Sequence, residues 1–147
     1  MPAPSLAAFE AFFNHTTRLR WDTLLALTYV EGGGTHPLVG AITVNKGRGW
    51  KGPLSMRTRF LTYDPPRQAS AVLVAPAGLF EKWGASMRFE DRADGGSNLI
   101  YTYTIHLRAR WLRWLLDPVA GVLFAWETRR RFNAMARYLR ESRKPDQ

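Results

Sequence analysis

Three histidines, one helix-borne glutamate and a pair of strand tyrosines are the residues with acid–base potential, and their spacing assembles no catalytic set. His15, His36 and His106 lie far apart in the chain. None has a second histidine or a carboxylate at metal-ligand spacing, so no metal and no cofactor is expected. His15 falls at a helix end, where a capping role fits. His36 precedes Pro37 in a glycine-rich loop, and His106 falls on the outward phase of its strand, away from any substrate it would have to reach. Glu127 stands beside Trp126 among apolar residues. Buried there, it would serve as a general acid with a raised pKa; Arg130 and Arg131, at i+3 and i+4, offer it an ion pair instead. Glu90 and Asp91 end a strand and read as solvated. The chain has no cysteine, which excludes a thiol nucleophile, a zinc–thiolate site and a disulfide framework. It shows no nucleophile elbow, glycine-rich phosphate loop or paired carboxylates.

Apolar residues are better organised. Trp83, Ala85, Met87 and Phe89 alternate along one segment, and Leu99, Tyr101, Tyr103, Ile105 and Leu107 along the next. A period of two marks half-buried antiparallel strands. With Phe60, Trp126 and Phe132, the residues Trp83, Met87, Phe89, Tyr101 and Tyr103 are the expected lining of a space between a sheet and a helix. Such sites are mostly apolar with a few placed polar groups, here the tyrosine hydroxyls. The alternative is that these side chains fill a solid core.

The elements that must carry them follow from the pattern. Ser5 is a plausible N-cap for a helix bearing Leu6, Phe9, Phe12 and Phe13, and a short second helix spans 16–22. Strands are expected over 24–31, 39–46, 55–63, 68–75, 82–92 and 98–107. Their breakers are Gly32-Gly33-Gly34, the loop 47–53 with Trp50 as a lid or anchor, Asp64-Pro65-Pro66, Pro76–Gly78, and a hairpin turn at Asp94-Gly95-Gly96. A long helix fills 110–143, opening on Trp111, Leu112, Trp114, Leu115 and Leu116. Asp117-Pro118 is a point where it kinks or restarts. Val122, Ala125, Phe132, Met135, Ala136 and Leu139 follow at helical spacing. The chain is one domain over 1–141, with a disordered tail at 142–147.

The net charge is +9, and residues 106–147 hold 10 basic and 4 acidic side chains, +6 of that total. Such a field attracts nucleic acid or an anionic membrane surface. Trp111 and Trp114 among Arg108, Arg110 and Arg113 resemble an interfacial pattern; solvated charge on an exposed helix face is the simpler account. The apolar stretch 119–126 is far short of the ~20 residues of a membrane span. The first residues lack a basic segment leading into an apolar run, so a cytoplasmic protein is expected.

Taken in order, these features resemble the START-like (SRPBCC) superfamily, in its polyketide cyclase/dehydrase and lipid-transport branch. The resemblance is carried by Ala7-Ala8-Phe9-Glu10-Ala11-Phe12-Phe13 followed by Leu19-Arg20-Trp21-Asp22, by Val39-Gly40, by Tyr63-Asp64-Pro65-Pro66-Arg67, by Gly95-Gly96-Ser97-Asn98-Leu99 and by the long terminal helix. It implies an α+β helix-grip fold, a curved antiparallel sheet wrapped around a long C-terminal helix. One departure stands out: the strand that opens such proteins is missing. The gap is a truncated start, a place filled by a neighbouring subunit in a homodimer, or a sheet that closes without it. The resemblance also implies binding or transport of a hydrophobic small molecule, such as a lipid, isoprenoid or polyketide, with a polyketide cyclase/aromatase as the enzymatic alternative. Contact of the basic helix with a polyanion or membrane is a third reading. Catalytic residues differ among such proteins, so none transfers by resemblance.

Overall fold

The computed structural model describes residues 1–49, 54–108 and 113–142, and of residues 113–118 and 120 the backbone alone. The elements are α1 (Ser5–Phe13), α2 (His15–Trp21), β1 (Leu25–Val30), β2 (Ile42–Gly47), β3 (Ser55–Asp64), β4 (Gln68–Leu73), β5 (Phe80–Asp91), β6 (Ser97–Leu107) and α3 (Arg113–Glu141). The strands form one antiparallel sheet in sequence order, β1 to β6. Strands consecutive in the chain are neighbours in the sheet, the order of an all-antiparallel meander.

Two strand starts differ from the sequence expectation by two residues or more, and those of β1 and β6 by one. β2 begins at Ile42 rather than at 39, because Gly40 takes φ 83° in a turn closed by the Ala41 amide on the Leu38 carbonyl. β5 begins at Phe80 rather than at 82, because a bulge between Phe80 and Lys82 extends its pairing with β6. The hairpin at Asp94-Gly95-Gly96 forms as expected, with Gly95 at φ 77° and the Gly96 amide donating to Asp94 Oδ1. α3 runs as one helix through Asp117-Pro118. Trp50, Trp111 and Leu112 lie outside the described residues, as do the side chains of Trp114, Leu115, Leu116 and Asp117 and all of the expected tail beyond Ser142.

α1 is capped from the sheet. Its N-cap is Pro4, not Ser5, and Asp91 at the end of β5 accepts the Ser5 amide at 2.6 Å. Asp91 is therefore a tertiary cap, and that backbone donor holds its carboxyl below the usual range. Asn14, not His15, caps α2 by accepting the Thr17 amide.

The core lies where α1 and the C-terminal half of α3 meet the sheet. Phe9, 0% exposed, packs against Phe13, Tyr63 and Phe89 at ring-centroid distances of 4.5–5.4 Å, and Met135 and Leu139 of α3 close the cluster. The place beside the start of β6 is taken by the first residues. The Ser97 amide donates to the Met1 carbonyl, the Met1 amino group donates to the Ser97 carbonyl, and Ser97 Oγ donates to the Ala3 carbonyl. Residues 1–3 thus stand against the start of β6, and among the described residues β1 and β6 are the outer strands of the sheet. Gly96 makes this approach possible, since a Cβ there would meet the Met1 carbonyl oxygen at 2.7 Å. Gly96→Ala is expected to displace residues 1–3 and cost about 1–3 kcal/mol. Urea unfolding together with faster amide exchange at Ser97 would show it; an unchanged Ser97 amide would contradict it.

Candidate functional site

The inner face of the sheet has two zones. Register places Trp83 opposite Ile105, Ala85 opposite Tyr103, Met87 opposite Tyr101 and Phe89 opposite Leu99, all on the side that meets α1 and α3. Toward α1, Phe60, Ala69, Met87 and Phe89 are buried in the aromatic core. Toward the Leu107 end, Ala71, Leu73, Trp83, Ala85, Tyr103 and Ile105 remain half-buried among the described residues. Phe124 of α3 leans over this second zone, its ring 4.6 Å from that of Tyr103. Trp83 Nε1 is enclosed there with no acceptor among the described residues. An apolar floor with one enclosed, unused donor is the kind of surface that orients a bound apolar molecule.

At the boundary between the zones sits a buried ion cluster. Asp22, at the C-cap of α2 with a side chain 0% exposed, accepts from Arg18 Nε at 3.1 Å and from Arg131 Nε and Nη2 at 3.2 and 2.6 Å. Burial would raise the Asp22 pKa, but the charges of Arg131 and Arg18 outweigh it and hold the carboxyl below its usual range. Burial and the neighbouring Arg131 pull Arg18 down to about 10 against the attraction of Asp22, which leaves it protonated at neutral pH. Both guanidiniums lie over the Phe12 ring, at 4.2 and 5.6 Å. Tyr101 stands within their field. Its burial raises the phenol pKa while Arg131 and Arg18 draw it down. The cluster ties α2 to α3 and gives the inner zone a cationic end.

His15 is a second buried polar centre. Thr28 Oγ1 donates to Asn45 Oδ1 at 2.9 Å, so it accepts from His15 Nδ1–H at 2.6 Å. The proton therefore sits on Nδ1, and Nε2 carries a lone pair with no partner among the described residues. Burial first, then Arg18 and His36, lower the His15 pKa to about 4. The unfolded chain takes up this proton near pH 6.5 and the folded one only near 4, so stability falls as pH drops through that window. The loss is on the order of 2 kcal/mol. Urea midpoints measured at pH 7 and pH 4.5 should differ in the wild type and differ less in His15→Gln; equal shifts in both would contradict the assignment. Asp22 adds its own acid sensitivity only lower, below its unfolded pKa of about 3.9.

The expected lining is thus divided. Trp83, Tyr101 and Tyr103 share the half-buried inner face, and Phe132 packs edge-on against Tyr101 at 5.4 Å. Phe60, Met87 and Phe89 are buried in the cluster around Phe9. Trp126 is misplaced by the sequence pattern. It lies 54% exposed on the outward side of α3, because it stands two residues, about 200° of helix, from the inward Phe124. Val122, 72% exposed, is outward for the same reason. Arg131 reaches Asp22 and also lies in the field of Glu127, four residues before it, while Arg130 lies over the Trp126 ring at 5.7 Å. His106 points outward, with Thr104, Lys82 and Gly84, toward a shallow groove on the opposite face of the sheet. The ion cluster and the His15 chain escape sequence reasoning because their members come together only in the fold. The one local hint is the i, i+4 spacing of Arg18 and Asp22.

A curved antiparallel sheet gripping a long terminal helix, with an apolar inner face, defines a helix-grip protein. The family described as polyketide cyclase/dehydrase and lipid transport matches residues 1–140, and the chain belongs to it. Solved structures agree in fold. Ara h 8.0201 is 17% identical, with a TM-score of 0.71 over 95% of this chain and 92% of that one. A protein of unknown function, SA2116 from Staphylococcus aureus, is 11% identical, with a TM-score of 0.72 over 96% and 89%. Major latex-like protein 151 from Panax ginseng is 14% identical, with a TM-score of 0.60 over 88% and 87%. Comparison with curated protein sequences gives no match.

Proposed function

We propose that the protein binds a hydrophobic small molecule, of lipid, isoprenoid or polyketide type, between the inner face of β5–β6 and α3, and carries it inside the cell. The observation that carries this reading is the contrast along one face. The inner face is buried beneath α1, yet the apolar residues around Trp83 and Tyr103 remain half-buried under the described part of α3. Membership of a family that includes lipid-transport proteins supports it. The cationic end formed by Arg18 and Arg131, with the Tyr101 side chain within their field, favours a ligand with an acceptor or anionic head on an apolar body. Titration with a neutral apolar fluorophore such as Nile red tests the reading. Saturable binding displaced by fatty acids is expected, and absence of binding would show a filled interior.

The second reading, a cyclase, is favoured by one observation: His15 is buried and its Nε2 lone pair has no partner among the described residues, so it can accept a hydrogen bond from a substrate. On that reading His15→Gln abolishes turnover of a poly-β-keto thioester while leaving fluorophore binding intact.

A further inference from the structure

We propose that the outward face of α3 docks on an anionic lipid bilayer. Phe124, Phe132, Met135 and Leu139 define the side of α3 that meets the rest of the protein. Val119, Val122, Leu123 and Trp126 occupy the opposite side at i, i+3, i+4 and i+7, and they are 54–72% exposed. Single exposed apolar residues are ordinary; a continuous stripe of four along one helix is an interaction surface. No helix among the described residues is long and apolar enough to cross a membrane, so the stripe suits a helix lying on the surface.

Charge decides the occupant. The outward face continues into exposed Arg129, Arg130, Arg137 and Arg140. Glu127, the one carboxylate between Val119 and Arg140, stands off this stripe with its Oε2 buried. Arginine stems and an indole suit headgroup depth, and the guanidinium of Arg130 already lies against the Trp126 ring. A second copy of the same face would match the apolar stripe but offer the arginine row no anionic partner, which argues against self-association. A nucleic acid would engage the arginines but leave the valines and leucine without a role. A bilayer with anionic lipid accommodates both halves of the stripe. This surface is independent of the ligand reading, so either can fail alone.

The test is co-sedimentation of the full chain with phosphatidylcholine vesicles and with phosphatidylcholine–phosphatidylglycerol vesicles. Binding is expected to be about tenfold or more tighter to the mixed vesicles and to weaken as salt rises. Val122→Ser/Trp126→Ser and Arg129→Glu/Arg130→Glu change only exposed side chains, and each should weaken binding about tenfold with an unchanged melting temperature. Equal binding to both vesicle types, or serine variants that bind like the wild type, would overturn the proposal. So would a wild-type dimer that Trp126→Ser splits, which gives the face to a second copy. Arginine-dependent RNA binding with vesicle binding absent would also overturn it.

Discussion

Replacing Asp22 by Asn is expected to destabilise the protein by about 3–5 kcal/mol, a large part of the ~5–15 kcal/mol that holds a domain of this size together. Asn keeps the shape and loses the charge. Asp22 is fully buried and is the carboxylate that Arg18 and Arg131 share, so its neutralisation leaves two desolvated guanidiniums facing each other across α2 and α3. Burial first, and then the charge of Arg131, already lower the pKa of Arg18. The Leu24 amide, which donates to Asp22 Oδ1 at 3.2 Å, retains an acceptor in the variant, so charge rather than the loss of a turn accounts for the effect. Asp94→Asn is the contrast. Its pairing with Arg92 is exposed, and exposed pairs contribute little. Urea unfolding of the two variants should separate them clearly. Asp22→Asn within 1 kcal/mol of the wild type would show that the buried arginines are neutralised by another route.

The second large effect concerns ligand rather than stability. Trp83→Ala and Tyr103→Ala each remove an aromatic wall from the half-buried zone, and the first also removes the enclosed Nε1 donor. Each should lower the affinity for an apolar fluorophore by about tenfold to a hundredfold, the usual weight of a buried aromatic contact. Because these side chains are only half-buried, stability should fall by less than for Phe9→Ala, which empties the fully buried centre of the core and costs about 3–5 kcal/mol. A filled interior predicts the reverse order, with Trp83→Ala as damaging to stability as Phe9→Ala and no ligand to lose.

Much of the fold was legible because strands declare themselves by alternation. The inward set Trp83, Ala85, Met87 and Phe89 is the set that faces α1 and α3, and the turn at Asp94-Gly95-Gly96 follows from its residues. Helix phase was less legible. Residues 119–139 carry two apolar stripes on opposite sides of α3, one at Phe124, Phe132, Met135 and Leu139 and one at Val119, Val122, Leu123 and Trp126. Residue type cannot tell an inward stripe from an outward one; the contacts with Tyr101 and Tyr103 do. Capping also escaped local reading, since α1 takes its cap from Asp91, 86 residues along the chain. The ion cluster joins residues 109 apart, a distance over which pattern carries no signal.

Native mass spectrometry of the protein purified from a host resembling its source is the most direct test of the central claim. A retained mass of a few hundred daltons that dissociates on activation, and that is lost in Trp83→Ala, is the predicted result. A bare polypeptide mass, together with no binding of any apolar fluorophore, would contradict it.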